Sequence, residues 1–217
     1  FKKNKLAMLG LALLVIIVFF AVFAGVFADY EEDCVFQNMS ERLLFYSKGH
    51  LLGTDQYGRD LFARIIFGAR ISVAMCVSTV LISMILGSIL GAVAAYFGGV
   101  VDSVIMRIAD VFLAIPQMLM AVTIVSALGS SIFNLGVALT ISMVAPFSRI
   151  VRSAVLQVKG MEYIEAAKAY GSKDVRIIFL HILPNAVGPI IVQATLNMAN
   201  SLLSISGLGF IGLGIPA

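Results

Sequence analysis

From Leu6 to Phe27 the chain runs 22 residues without a charged side chain or a proline. As a helix this stretch would be about 33 Å long, enough to cross a bilayer core of about 30 Å. Four more apolar stretches follow, at Ile71–Phe97, Val111–Leu128, Ile132–Phe147 and roughly Ile182–Ile205. The fourth of the five, Ile132–Phe147, is short and needs help from its flanks. Composition agrees with this reading. Of the 217 residues 60% are hydrophobic and 12% charged, with a mean hydropathy of +1.03. A soluble domain is about half apolar and about a quarter charged. These few charges cannot cover a water-facing surface, so lipid must cover much of it. The expected fold class is an all-α membrane protein, a polytopic helical bundle with five spans.

Lys2, Lys3 and Lys5 precede the first stretch, as in a signal peptide. A signal core is only about 7–15 residues long and ends at a small-residue cleavage site, so this one reads as a retained helix. The segment Ala28–Arg70 holds seven acids and five bases, with Asp29, Glu31, Glu32 and Asp33 crowded together. Residues 149–176 hold six bases against three acids. Basic loops stay in the cytoplasm, which places the N-terminus, 98–110 and 149–176 inside, and 28–70 and the tip near Gly129–Ser131 outside. The chain divides into an N-terminal helix with its extracytoplasmic loop, 1–70, and a core, 71–217. The odd number of spans and the run Gly207, Gly209, Gly212, Gly214 and Pro216 lead us to expect a further helix beyond Ala217.

A net charge of +3 and a pI near 9.0 do not point to nucleic acid, because the bases lie between apolar stretches and not on one solvated face. Cys34 and Cys76 are far apart and make neither a disulfide framework nor a zinc site. Cys76 reads as a small packing residue. The two histidines, His50 and His181, give no nucleophile–base pair, and no GxxxxGK[ST] loop is present to cradle ATP. The chain is not expected to be an enzyme or to hold a cofactor or metal.

Inside the second span Ser83, Gly87, Gly91 and Ala95 place a small residue at every fourth position, on one helix face. This reads as a tight joint between moving helices or as ordinary bundle packing. Pro116 and Pro146 each remove a backbone donor and are expected to kink their helices. In the last span Gln193, Asn197, Asn200, Ser201 and Ser204 share one face. Amides facing lipid are costly, so this stripe must meet protein or water. It reads as the lining of a solute pathway or as hydrogen-bonded glue between helices. No charged residue sits in the middle of a span, which weakens an ion-driven carrier.

The last inner loop contains Glu162-Tyr163-Ile-Glu165-Ala166-Ala167-Lys-Ala169-Tyr170-Gly171, then His181-Ile-Leu-Pro184-Asn185. Residues 162–170 are good helix formers, and Gly171 is placed to stop the helix. Such a short helix is not stable alone in water. It needs a partner surface or the membrane surface. Ala166, Ala167 and Ala169 would let it sit deep in a groove, with Tyr163 and Tyr170 as anchors.

At this point the sequence resembles the inner-membrane permease subunits of binding-protein-dependent ABC transporters. Their signature is Glu-Ala-Ala, three residues, Gly, nine residues, then Ile-x-Leu-Pro. Glu165-Ala166-Ala167, Gly171 and Leu183-Pro184 match in spacing, while His181 stands at the isoleucine position. The dipeptide, oligopeptide and nickel branch is similar in three stretches: His181–Asn185, Leu52-Gly53-Thr54-Asp55-Gln-Tyr-Gly58-Arg59-Asp60, and Leu208–Gly214.

The resemblance implies a six-helix bacterial or archaeal inner-membrane permease of the second chain type in that branch. It also implies that residues 162–171 form a coupling helix docking on a cytoplasmic ATPase. The implied assembly adds a second permease, two ATPase subunits carrying ATP and Mg, and an extracytoplasmic binding protein. The solute class implied first is di- or oligopeptides. Nickel import and an ion-driven secondary transporter are the alternatives, and a structural scaffold is a further rival. The motif Gly53, Thr54, Asp55, Gly58, Arg59 and Asp60 reads as a contact for the binding protein, a solvated loop, or a salt-bridge cluster bracing the loop against the second span.

Overall fold

The structure is a computed structural model, and it describes residues 4–47 and 49–214. Lys2, Lys3 and Pro216, which enter the orientation and ending arguments above, lie outside the described residues. The described residues form helices and turns with one isolated antiparallel bridge, Thr54 to Asp60. Contacts divide the chain into two compact units between Ala74 and Met75.

The first unit begins with α1 (Lys5–Val22) and the single turn α2 (Ala24–Phe27). Asn4 caps α1, its side-chain oxygen accepting the N–H groups of Leu6 at 3.1 Å and Ala7 at 3.2 Å. Such a cap satisfies donors that a helix start leaves free. Only Ala21 is buried in α1. A helix apolar around its whole circumference is suited to a lipid environment. After α2 the chain makes a π-helical turn at Tyr30–Val35 and a 3-10 turn at Met39–Glu41, then enters α3 (Leu61–Phe97). Residues 61–70 are therefore helical and not loop. The bases Arg64 and Arg70 broke the hydropathy of this stretch, but Asp60 caps the earlier start through Ala63 N–H at 2.8 Å.

The second unit holds the rest of α3 together with α4 (Gly99–Leu113), α5 (Gln117–Leu128), α6 (Ile132–Lys159), α7 (Glu162–Ala169), α8 (Asp174–Arg176) and α9 (Val187–Phe210). Among the described residues four helical runs are long and apolar enough to cross a membrane, and five if the bent pair α4–α5 counts as one. That pair bends by 83°. The expected span Val111–Leu128 is thus broken, with Val111–Leu113 closing α4 and only the 12 residues of α5 continuing. Pro116 is the cause, since it lacks an N–H and disfavours helix in the residue before it. Pro146, by contrast, lies inside a continuous α6 of 28 residues, longer than the apolar stretch at its start. Its basic extension is accommodated because Arg152 pairs with Asp102 at 2.5 Å and Arg149 pairs with Asp110, both acids on α4.

α3 and α6 pack through the stripe of small residues. The Ser83 hydroxyl shares its one proton between the Thr79 carbonyl of α3 at 2.7 Å and the Thr140 carbonyl of α6 at 3.1 Å. A Cβ on Gly87 would meet the Val144 carbonyl oxygen at 2.9 Å and the Phe147 side chain, and one on Gly91 would meet Arg152 N at 2.9 Å and the Ser148 carbonyl. The pairings advance in step, so these helices run parallel, as second and fourth spans must.

α9 is reached through an irregular helical run. After α8 comes a π-helical turn at Ile177–Ile182, then a 3-10 turn at Leu183–Ala186. Pro184 has no N–H for the preceding turn. The Asn185 side-chain amide donates to the His181 carbonyl at 2.6 Å and satisfies an acceptor there. The expected fifth span therefore belongs to one helical run, Asp174–Phe210.

Candidate functional site

Helix α7 sits where the basic end of α6 turns back. Its C-terminus is a glycine stop: Tyr170 is the C-cap and Gly171 has φ +76°. Gly171 N–H bonds the Lys168 carbonyl at 2.9 Å and Ser172 N–H bonds the Ala167 carbonyl at 3.1 Å. This pair of bonds is the Schellman arrangement, which favours glycine because the left-handed conformation carries no Cβ penalty there. Eight residues form too little helix to persist alone. One face of α7 is anchored by Ile164, fully buried in a cluster with Tyr96, Val158, Ile177 and Ile178. Burying such a side chain stabilises by about 1.5–3 kcal/mol.

The other face is open. Glu162, Glu165, Ala166 and Ala169 are exposed, Tyr163 is 44% exposed and Tyr170 is 91% exposed. The three alanines therefore do not act together. Ala167 follows Ile164 by three positions and packs on the chain's own core, while Ala166 and Ala169 join the tyrosines on the free surface.

The same core encloses a group that sequence reasoning missed. Tyr96, in the last turn of α3, is 7% exposed. Its hydroxyl donates to Asp174 Oδ1 at 2.5 Å. Lys159 Nζ, at the end of α6, donates to the Tyr96 carbonyl at 2.7 Å and the Ala95 carbonyl at 3.1 Å. The Lys168 ammonium of α7 lies 5.1 Å from the centre of the Tyr96 ring. A tyrosine at the end of an apolar span reads from sequence as an interfacial anchor, and nothing local distinguishes this one.

The stripe on α9 divides. Gln193 Nε2 donates to Asn197 Oδ1 at 3.1 Å, and Ser201 lies 3.4 Å from the Thr79 hydroxyl of α3. Asn197 is 5% exposed and Ser201 is fully buried, so these two face protein. The Asn197 amide nitrogen has no hydrogen-bond partner among the described residues. Asn200 lies on the open side of α9, and Ser204 is half-buried.

In the first unit Leu52–Asp60 forms an ion-paired brace. Asp55 accepts Tyr57 N–H at 2.8 Å, Arg59 N–H at 3.1 Å and Arg59 Nε at 2.9 Å, and it also pairs with Arg64 of α3. Burial works to raise the Asp55 pKa, but the hydrogen bonds from Arg59 and Tyr57 and the Arg59 charge together lower it. Asp60 caps α3 with one oxygen and meets His50 Nδ1 at 2.7 Å with the other. That hydrogen bond raises the His50 pKa against the opposing effect of burial. Thr54 donates to the Glu41 carbonyl and accepts from Leu44 N–H. Gly53 and Gly58 have φ of +79° and +75°, and a Cβ at either would meet the carbonyl of Leu44 or Asn38. The salt-bridge reading of this motif describes its geometry.

Residues 84–217 match the family described as binding-protein-dependent transport system inner membrane component, and residues 1–45 match the N-terminal TM domain of oligopeptide transport permease C. The chain belongs to the binding-protein-dependent inner-membrane permeases. It is 45% identical to the dipeptide transport system permease protein DppC of Alkalihalophilus pseudofirmus, over 100% of this chain and 70% of that one. It is 39% identical to the oligopeptide transport system permease protein OppC of Bacillus subtilis, again over 100% of this chain and 70% of that protein. In fold it is similar to a chain of the MetNI methionine ABC transporter in an inward-facing conformation. The TM-score is 0.58 at 21% identity, covering 67% of this chain and 73% of that chain. The permease thus has an ABC-importer permease fold, all-α and multi-pass. Within this permease the Glu-Ala-Ala motif lies on α7 and its glycine stops that helix, which is seated on a core shared with α3, α6 and the approach to α9.

Proposed function

We propose that this permease is a transmembrane half of an ATP-driven importer for di- or oligopeptides, with α7 as the helix that engages a cytoplasmic ATPase. The observation that carries this reading is the two-sided build of α7, buried through Ile164 and open through Tyr163, Ala166, Ala169 and Tyr170. A short helix with small residues between two aromatic anchors fits a groove on a partner. Its buried side passes any displacement to the bundle. The partners are a second permease, two ATPase subunits binding ATP and Mg, and an extracytoplasmic binding protein. The basic end, 149–176, lies in the cytoplasm together with the N-terminus, by the charge rule. Peptides as cargo follow from the names of the dipeptide and oligopeptide relatives.

Pathway roles are assigned according to exposure. Asn200, on the open side of α9, faces the passage formed with the second permease, with Ser204 at its border. Asn197 and Ser201 are buried against the neighbours of α9, and Gln193 bonds Asn197 along α9 itself. ATP and the loaded binding protein drive transport only if each favours one bundle state over the other.

The test is ATP hydrolysis by the assembly purified with this chain in mild detergent, with and without binding protein carrying di- or oligopeptides. Stimulation by the loaded binding protein is expected. If no ATPase associates with the chain even after crosslinking, the reading fails.

A further inference from the structure

The α7 surface explains how a partner is received, but not how its movement reaches α3, which is separated from α7 in sequence by the length of α4, α5 and α6. We propose that Tyr96 is a positioning residue that latches the ATPase-engaging segment to α3, so that α3, the end of α6 and α7–α8 move as one body. This proposal rests on the functional reading above.

The geometry converges on one ring from four elements. Tyr96 belongs to α3, its hydroxyl binds Asp174 at the start of α8, and its ring faces the ammonium groups of Lys168 on α7 and Lys159 on α6 at 5.1 and 5.8 Å. The end of a helix leaves carbonyls without partners and carries partial negative charge. At the end of α3 two of these carbonyls, those of Ala95 and Tyr96, are taken by Lys159 and not left to water. The α3 terminus is therefore fastened twice, to α6 through the backbone and to α8 through the phenol. Around them the buried set Ala92, Ala95, Val155, Val158, Ile164 and Ile178 closes the joint.

The phenol bond differs in kind from the packing beneath it. Hydroxyl to carboxylate is a charge-assisted bond, stronger and more directional than a neutral one. Its acceptor, Asp174, is exposed and keeps water as an alternative partner. Removing the hydroxyl therefore frees the segment without leaving a buried charge unpaired. Phenylalanine at this position keeps the ring, its burial and its attraction for Lys159 and Lys168. The hydroxyl sets position, and the ring sets stability.

The experiment uses the complete transporter reconstituted in vesicles, with peptide imported and ATP hydrolysed measured together for wild type, Tyr96→Phe, Asp174→Ala and the double variant. The expected result is a peptide-to-ATP ratio lowered by about tenfold or more in each single variant, in line with loss of one charged hydrogen bond. The double variant should be no worse than either single one, and the amount of associated ATPase should not change for Tyr96→Phe. Wild-type ratios in Tyr96→Phe and Asp174→Ala would overturn the latch. Loss of the associated ATPase in Tyr96→Phe would overturn it as well, since the bond would then serve assembly. If the wild-type complex itself shows no peptide-stimulated hydrolysis, the functional reading fails, which is a different result from a coupled wild type with unaffected variants.

Discussion

Gly91 of α3 has no room for a side chain, because the carbonyl of Ser148 on α6 stands where its Cβ would go. Arg152 N and the Val151 side chain would each lie 2.9 Å from that atom. Backbone cannot swing aside as a side chain does, so even one methyl group must push the helices apart. Gly68 lies in the same helix with nothing within 4 Å of a Cβ.

The first prediction compares these two glycines. Gly91→Ala should destabilise the protein by about 1–3 kcal/mol, the range for overpacking. Gly68→Ala should be neutral or stabilising by about 0.4–1 kcal/mol through reduced unfolded-state freedom. Thermal unfolding of the purified protein in one detergent checks both. Equal midpoints for the two variants would refute the close approach of α3 and α6.

The second concerns the stop of α7. A side chain at Gly171 meets nothing, so a substitution costs only what the left-handed backbone demands. Asparagine tolerates that conformation and a β-branched residue does not. Gly171→Asn should retain most peptide uptake and Gly171→Val should lose it, with equal amounts of both in the membrane by immunoblot. Glu165→Lys, on the open face, should also abolish uptake without affecting insertion.

Much of α7 could be read from sequence because its cause is local: helix formers from Glu162 to Tyr170 and one residue that adopts positive φ easily. The spans were legible only as composition. Ala114, Ile115 and Pro116 are apolar enough to keep the hydropathy of a span running through a bend of 83°. Asp102 and Asp110 made α4 look like a loop, because their partners Arg152 and Arg149 lie on α6, about 40–50 positions away. Tyr96 and Asp174 meet across 78 positions, and no periodicity marks such a pair. The brace at Leu52–Asp60 lies between these cases. Its turn glycines and charges are visible, but its contacts to Asn38, Leu44 and Glu41 are not.

The third prediction is a pH dependence in that brace. Asp60 raises the His50 pKa above its ordinary value of about 6.5. A raised folded pKa means stabilisation that is complete below the unfolded value and is lost as pH rises through the folded one. Proteolysis of the 28–60 segment should therefore be slower at pH 6 than at pH 8. His50→Gln should remove most of that difference, and an unchanged pH profile in this variant would rule out His50 as its source.

The fourth separates the two roles on α9. Asn200→Leu should lower peptide uptake several-fold while leaving the thermal midpoint and ATP hydrolysis near wild type. Asn197→Leu removes both an amide nitrogen without a partner among the described residues and the oxygen that accepts from Gln193, so its effect should fall on stability, within about 1.5 kcal/mol in either direction. Uptake and midpoint measured on both variants decide the matter. If Asn200→Leu dissociates the assembly, that residue is a packing contact and does not line the passage.

The stripe of small residues that seats α3 on α6 repeats every four positions, so it cannot by itself define which turn faces which. A slip of one turn, about 5.4 Å, would set glycine or alanine opposite the same backbone again. The degeneracy is broken at the two ends, where Ser83 finds the Thr140 carbonyl and Lys159 finds the carbonyls of Ala95 and Tyr96. The smooth contact allows closeness, and the two polar pins choose the alignment. A helix pair built this way has a ladder of nearly equivalent seats but only one that satisfies both pins, so losing either pin should show first as heterogeneous register and only later as unfolding.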